Sequence, residues 1–448
     1  MKSSIVNLSN SNYFKNVFPY SKIPRVEFNN ILLPMELPND IWVTDTTFRD
    51  GQQSMSSFSV DQIVRLYDYL HKIDNESGII RQSEFFLYSK KDRKAVLKCM
   101  ERGYSFPEIT SWIRAKKEDL KLVKEMEIKE TGMLMSCSDY HIFKKLKTTR
   151  EKALNMYLDI AREAIENGIV PRCHLEDITR ADFYGFVVPL VRSLMDLSKE
   201  SGVEVKIRAC DTLGLGVSYT GTSLPRSVPA IIHGLRNECN VPSKSIEWHG
   251  HNDFYSVVTN SVSAWMYGAS SVNTTLFGIG ERTGNCPIEA MLITYGQLKG
   301  DIKNMNLKLL SEVSEYFQKE MDYDIHPQTP FVGSEFNVTK AGIHADGILK
   351  DVEIYNSFDT EKILNRPIVV SVNQYSGVAG IAAWINTYFR LSEGQKISKT
   401  DERIYPIKRW VEDQYAGGRT TVIRNEELKK ITYMYLPHIE KIEKTQAV

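Results

Sequence analysis

At 448 residues, with 42% hydrophobic and 25% charged composition, the chain has ordinary globular character and room for a large α/β domain plus a smaller appendage. Lys plus Arg and Asp plus Glu both number 56, so the net charge of zero gives no support to nucleic acid or an anionic membrane as the main partner. A local cationic pocket for a small anion remains compatible with that total.

The N-terminal stretch MKSSIVNLSNSNYFKNVF lacks the apolar centre of a signal segment, and no run approaches the roughly 20 apolar residues of a membrane span. Residues 1–39 are expected to form an extension. DIWVTDT then reads as a strand, and Ser59-Val-Asp-Gln62 is a capping box that opens the helix VDQIVRLYDYLHKI. Weaker strands are predicted near Ile79–Phe85, Phe106–Thr110 and Lys129–Leu134. REKALNMYLDIAREAIEN is a helix stopped by Gly168, followed by the strand IVPRCHLE. A helix from near Asp182 ends at Gly202, before the strand VEVKIRAC. The helix in SVPAIIHGLRNE leads to the strand SIEWHGH. A further helix, capped by Asn252 or Asp253 and stopped by Gly268, leads to SSVNTTL. Eight strand–helix units imply parallel strands, and in this length they suit a closed (β/α)8 TIM barrel better than a doubly wound sheet. The barrel is expected over 40–325. NLKLLSEVSEYFQKEM is its trailing helix, HPQTPFVGSEFN a broken linker, and 326–448 a linker and small, mostly helical C-terminal subdomain.

In a parallel barrel, chemistry gathers where strands end. The first strand runs into DTTFRDGQQS, with Arg49 and Asp50 at its lip. The fifth carries Arg172, His174 and Glu176 on one face; the sixth carries Arg208, Cys210 and Thr212; the seventh ends with His249 and His251. The eighth leads into GIGERTGN, Gly278–Asn285. Taken singly, each has a bland explanation: an incidental HxH, a surface ion pair, a glycine turn. Their convergence on one face of the barrel favours a site. One carboxylate and two imidazoles can hold a divalent ion with positions left open for substrate, and such a donor set suits Mn²⁺, Mg²⁺, Zn²⁺ or Co²⁺ alike. The six cysteines (Cys99, Cys137, Cys173, Cys210, Cys239, Cys286) show no CxxC pairing, which points away from disulfides or a zinc ribbon and toward a reducing cytoplasm. Cys137, Cys173, Cys210 and Cys286 fall near predicted strand ends, where oxygen sensitivity is a further expectation.

DTTFRDGQQ, HGHND and GIGERTGN, in this order at strand ends, resemble the metal-dependent barrel family of 2-isopropylmalate synthase, homocitrate synthase, citramalate synthase and HMG-CoA lyase. The resemblance covers about residues 40–380, and GERTGN with AGIHADGILK favours the synthases. NYFKNVFPYSKIPRVEFNN, RCHLEDITRADFYGFVVP and KIRACDTLGLG are most like the members that join acetyl-CoA to oxaloacetate.

The resemblance implies Asp50, His249 and His251 as ligands of a divalent metal, manganese first, with Asn285 as a further ligand or close support. It implies Arg49 as the group that polarises the substrate carbonyl, Glu176 as an acid near that arginine, and Thr212 as a carboxylate-binding residue. His344 and Tyr355 match a histidine and tyrosine implicated in acid–base chemistry. In the family these reach over the partner's barrel, which implies a homodimer with exchanged C-terminal subdomains.

The chain also departs from the pattern. Thr339 stands where many relatives have a histidine, His174 where a small residue is common, and Arg208 where an apolar or amide residue is typical. Arg172, His174 and Arg208 are therefore candidates for the second carboxylate of oxaloacetate. The implied activity is a Claisen-type condensation of acetyl-CoA with oxaloacetate, followed by thioester hydrolysis. Homocitrate, isopropylmalate or citramalate synthase is the alternative, and a carbon–carbon lyase a more distant one.

Overall fold

The computed structural model describes residues 5–6 and 11–446; residues 1–4, 7–10 and 447–448, which include part of the expected 1–39 extension, lie outside the described residues. The chain divides into two compact units, 1–306 and 307–448.

The first unit alternates eight strands with eight helices. The strands are β1 (Trp42–Asp45), β2 (Ile80–Phe85), β3 (Glu108–Arg114), β4 (Glu130–Ser136), β5 (Val170–Glu176), β6 (Lys206–Asp211), β7 (Ile246–Gly250) and β8 (Ser271–Thr274). The helices that follow them are α1 (Val60–Asp74), α2 (Lys90–Met100), α3 (Lys117–Glu125), α4 (Arg150–Glu166), α5 (Val188–Ser201), α6 (Val228–Asn237), α7 (Val257–Met266) and α8 (Ile288–Lys299). All neighbouring strands are parallel, and β1 closes the barrel against β8 with Thr44 opposite Asn273 and Asp45 opposite Thr274.

Local chemistry explains most boundaries. Ser59 and Gln62 form the expected capping box of α1, and Gly202 ends α5 in the left-handed conformation. β3 begins only after Pro107, which has no N–H for a ladder bond. Two expectations are corrected. The helix expected from Asp182 opens with a π-helical turn, Phe183–Val187, whose Gly185 N–H donates to the Asp182 side chain, and α5 follows it. Neither Asn252 nor Asp253 occupies the N-cap of α7, which is Ser256; Asn252 is one turn early and only accepts from the Val257 N–H at 3.4 Å.

Strand alternation sorts the residues into two sets. Met133, Met135, Cys173, Leu175, Ile207, Ala209, Trp248 and Val272 are buried and apolar, facing the helical ring. The intervening residues are buried too, yet many are charged: Glu84, Glu130, Arg172, His174, Arg208 and Glu247. Contacts between non-neighbouring strands, such as Arg208 to Glu84 and Thr44 to Glu247, place this second set in the lumen. Barrels of this kind are usually filled with branched apolar side chains, so a charged lumen must be paired to be stable.

The second unit opens with α9 (Leu309–Glu320), expected within the barrel segment but clustered here with residues 307–448. A two-stranded parallel sheet, β9 (Val338–Thr339) and β10 (Val369–Val370), accompanies α10 (Gly342–Lys350), α11 (Thr360–Leu364) and α12 (Val378–Tyr388). The remaining helices are α13 (Ile404–Ala416), α14 (Asn425–Tyr435) and α15 (Pro437–Gln446). Its core forms around Ile381, Trp384, Ile385, Ile407 and Leu428.

Candidate metal centre and its surroundings

After β1 the backbone turns sharply: the N–H groups of Arg49, Asp50 and Gly51 all donate to Thr46 O. That turn aims the Asp50 carboxylate at the two β7 histidines. His249 Nε2 and His251 Nε2 lie 3.7 and 3.8 Å from Asp50 Oδ2, and one potential ligand atom from each residue lies within 4.8 Å of the others. The two rings stand nearly perpendicular, at 88°. All three residues are buried.

Burial pushes His249 down to about 3, with the positive charge of Arg49 adding to the effect, and also lowers His251. Both imidazoles are therefore neutral near pH 7. Burial alone would raise Asp50, but Arg49, His249, His251 and a hydrogen bond from Asn285 outweigh it and hold the carboxyl at about 2.

Further contacts fix these groups. His249 Nδ1–H donates to Asn273 Oδ1 at 2.8 Å, which leaves the Nε2 lone pair toward Asp50. Asn273 Nδ2 donates in turn to Thr44 Oγ1, and that hydroxyl donates to Glu247. Asn285 Nδ2 donates to Asp50 Oδ2 at 2.8 Å, while its buried Oδ1 has no hydrogen-bond partner among the described residues. Gly284, at φ +90°, makes the turn that carries Asn285: a Cβ there would lie 2.2 Å from Gly278 O. A carboxylate, two neutral imidazole nitrogens and an orphaned amide oxygen form a donor set that fits a divalent cation and leaves an open coordination position.

The predicted residues divide into those that join this centre and those that do not. Arg49 joins it: Nη1 lies 3.1 Å from Asp50 Oδ1 and the guanidinium packs over Trp112. Glu176 has partners of its own on the β4 side. It accepts from Ser136 and Lys145 and lies 2.9 Å from His141 Nδ1. Burial opposes its ionisation, but His141, Ser136 and Lys145 prevail and hold it at about 2, which makes it a poor proton acceptor.

The carboxylate that grips Arg49 is Glu84 on β2, which the sequence reading missed. Its Oε1 accepts from Arg49 Nε at 2.8 Å, Thr46 Oγ1 at 2.9 Å and Arg208 Nη1 at 3.1 Å. The available signal was the alternation of Gln82 and Glu84 in RQSEFF, which marks a polar lumen face.

Arg172 is turned to Glu130, Gln82 and Glu247, one layer deeper than His174. Arg208 donates to Glu247 and Glu84 through two nitrogens, yet its buried Nη2 has no hydrogen-bond partner among the described residues. His174 Nε2 is also buried, makes no hydrogen bond among the described residues, and lies 3.6 Å from Glu84 Oε2. Gly132 on β4 makes room for this ring, because a Cβ there would lie 2.4 Å from His174 Nε2. The Thr212 hydroxyl accepts from the Asp177 N–H at 2.9 Å.

In the second unit His344 and Tyr355 are adjacent, with ring centroids 4.3 Å apart, and His344 Nδ1 lies 3.4 Å from Thr339 Oγ1. Tyr355 rests on α10 over Gly347, where a Cβ would lie 2.4 Å from its ring.

A closed parallel (β/α)8 barrel with an Asp–His–His cluster at the carboxyl lip of its strands is the architecture of a barrel enzyme with a candidate divalent-metal site. The family described as HMGL-like matches residues 40–316, and the chain belongs to that family. The resemblance drawn from DTTFRDGQQ, HGHND and GIGERTGN is thereby borne out, as is the expected barrel. The chain is 66% identical over 440 residues to the citrate (Re)-synthase of Clostridium kluyveri, covering 98% of this chain and 97% of that one. It is 49% identical to the citrate (Re)-synthase of Syntrophus aciditrophicus, covering 96% of this chain and 68% of that one. Among solved structures, the hydroxymethylglutaryl-CoA lyase of Pseudomonas aeruginosa shares the fold with a TM-score of 0.52 at 16% identity, covering 64% of this chain and 95% of that one. Among the described residues, no helix is long and apolar enough to cross a membrane.

Proposed function

We propose that the chain catalyses the citrate (Re)-synthase reaction, in which acetyl-CoA, oxaloacetate and water give citrate and CoA. The observation that carries this reading is near-full-length identity of 66% to a citrate (Re)-synthase together with an intact Asp50–His249–His251 cluster.

Asp50, His249, His251 and Asn285 would hold a divalent ion, manganese first, and when bound that ion would act as a Lewis acid toward the 2-oxo acid. Arg49, anchored by Glu84, donates to the ketone oxygen as negative charge develops there. Arg208 Nη2 and His174 Nε2, both buried and without a hydrogen bond among the described residues, receive the distal carboxylate of oxaloacetate. Arg172 is already committed to acidic partners and supports this pocket from below. Thr212 keeps its hydroxyl proton for the other carboxylate.

The methyl group of acetyl-CoA loses a proton to a base, its carbon bonds to the ketone carbon, and the ketone oxygen takes up a proton. Water then cleaves the thioester. His344 with Tyr355, contributed by residues 326–448 of the partner in a homodimer, is the proposed base pair; Glu176, the rival candidate for the base, is held at about 2, which argues against it. A cytoplasmic setting accords with six free cysteines.

The test is CoA release from acetyl-CoA with oxaloacetate, 2-oxoglutarate, 2-oxoisovalerate and pyruvate, each with and without EDTA. EDTA-sensitive release is expected to be greatest with oxaloacetate. Preference for another 2-oxo acid would reassign the substrate, and metal-independent release would remove the proposed centre from the chemistry.

A further inference from the structure

The carboxyl lip of β4 and β5 carries a cluster of aromatic rings and cations that the steps above do not use. A π-helical turn, Tyr140–Lys145, follows β4. Tyr140 meets Tyr13 of the N-terminal segment with ring centroids 4.9 Å apart. That segment is anchored on the same face. Asn12 N–H donates to Asp139, Val17 and Phe18 pack with Leu215 in the loop after β6, and Arg226 donates to the carbonyls of Pro24 and Arg25.

Three cations surround the Tyr140 ring: Arg180 at 4.2 Å, Lys144 at 5.2 Å and Lys15 at 5.2 Å, with Lys144 also 4.6 Å from the Tyr13 ring. Arg180 is neutralised by Asp177, whereas among the described residues neither Lys15 nor Lys144 is paired with a carboxylate. Both lysines are exposed. Cation–π packing alone explains why the rings and charges touch. It does not explain why two ammonium groups, in a chain of zero net charge, converge without an anion.

We propose that Tyr13, Lys15, Tyr140 and Lys144 form the docking site for the phosphorylated nucleotide end of an acyl-CoA. This rests on the reading that the chain uses acetyl-CoA. A nucleobase presents a π face that stacks on tyrosine, and ammonium groups bind phosphate as mobile point charges. The cluster is small: two rings and two unpaired cations suit one nucleotide rather than a nucleic-acid strand. Its place also fits. Glu176 at the end of β5 is in register with Cys210 of β6, and Cys210 with His249 of β7, so an acyl arm leaving the cluster crosses only β5 and β6 to reach the metal centre.

The experiment is calorimetric titration of the full-length protein with CoA, dephospho-CoA and oxaloacetate, for wild type and K15Q/K144Q. Supporting results are a rise of about tenfold in the CoA Kd of the variant, with oxaloacetate binding within about twofold of wild type. Wild type should also prefer CoA over dephospho-CoA, and lose CoA affinity on going from low to physiological salt, a readout that does not depend on the variant's folding. CoA binding by the variant within about twofold of wild type, or salt-independent binding by wild type, overturns the proposal. A wild type that turns over acetyl-CoA while the variant binds CoA as tightly defeats the docking site alone. A wild type that binds no CoA defeats the acetyl-CoA reading and the docking site together.

Discussion

Replacing Glu84 with Gln tests whether the charged lumen is a paired network. Glu84 is 1% exposed, and Arg49 Nε, Thr46 Oγ1 and Arg208 Nη1 all converge on one of its oxygens. Burial would raise its pKa, but Arg208 and Arg49, followed by His174 and Arg172, drive it well below the ordinary carboxylate value, so the group is ionised. Gln keeps the shape and removes the charge. Arg208 then retains Glu247 and Arg49 retains Asp50, but each guanidinium loses one of its two anionic partners in a buried site. Breaking a buried pair by removing one member costs about 3–5 kcal/mol, and the surviving partners place this substitution at the lower end, about 3 kcal/mol. Urea unfolding of wild type and Glu84→Gln measures it, as a lower midpoint with an unchanged slope. Metal binding by equilibrium dialysis should fall by less than about tenfold, because the partners of Glu84 are Thr46, Arg49, Arg208 and His174 rather than Asp50, His249, His251 or Asn285. A stability loss below about 1 kcal/mol would show that Glu84 is not a structural counter-ion and would refute the reasoning.

Four other outcomes follow from the same geometry. Asn273→Ala frees the His249 ring and should weaken metal binding by about 10–100-fold in equilibrium dialysis; affinity within about twofold of wild type would deny it an orienting role. Asp50→Ala or His251→Ala should reduce steady-state turnover with excess metal by at least about 100-fold, more than Glu176→Gln does, and the reverse order would count against the assigned centre. Glu289 is pushed up by burial to about 7, with the Phe277 N–H as a hydrogen-bond donor. The folded state holds that proton more tightly than the unfolded one, so the contribution is complete below 4.5 and is lost as pH rises to about 7. The loss is at most about 3 kcal/mol. Glu289→Gln should flatten that decline in urea unfolding across pH 5–8, and an unchanged slope would contradict it. Finally, all six thiols are free and buried, and burial raises Cys99, Cys239 and Cys286 to about 12, with Cys137 also raised well above the ordinary thiol value. Native protein should show no fast phase with a thiol reagent, and rapid modification of any of them would revive the expected oxygen sensitivity.

The elements most legible in the sequence were those with strong local signals. Ser59 and Gln62 announced α1, Gly202 announced the end of α5, and His249-Gly-His251 announced two side chains on one face of β7. Such signals survive folding because they depend on backbone geometry within a few residues. The start of α7 was misread because Asn252 and Asp253 are both competent caps, and the tight turn before Ser256 selected a later start. The π-helical turns at Tyr140–Lys145 and Phe183–Val187 carry no distinctive local pattern.

Sequence by itself determined the alternation of strands and helices and the polar faces of the fifth, sixth and seventh strands, since strand periodicity and turn chemistry act over short distances. Family resemblance supplied the candidate metal-binding set. Tertiary structure alone decided which opposite charges met. It gave Arg49 to Glu84, turned Glu176 toward His141 and Lys145, and set Arg172 one layer below His174. Periodicity states which face a side chain occupies; only barrel closure and register determine what faces it across the lumen, and in a buried, low-dielectric interior that pairing controls the charge each group carries.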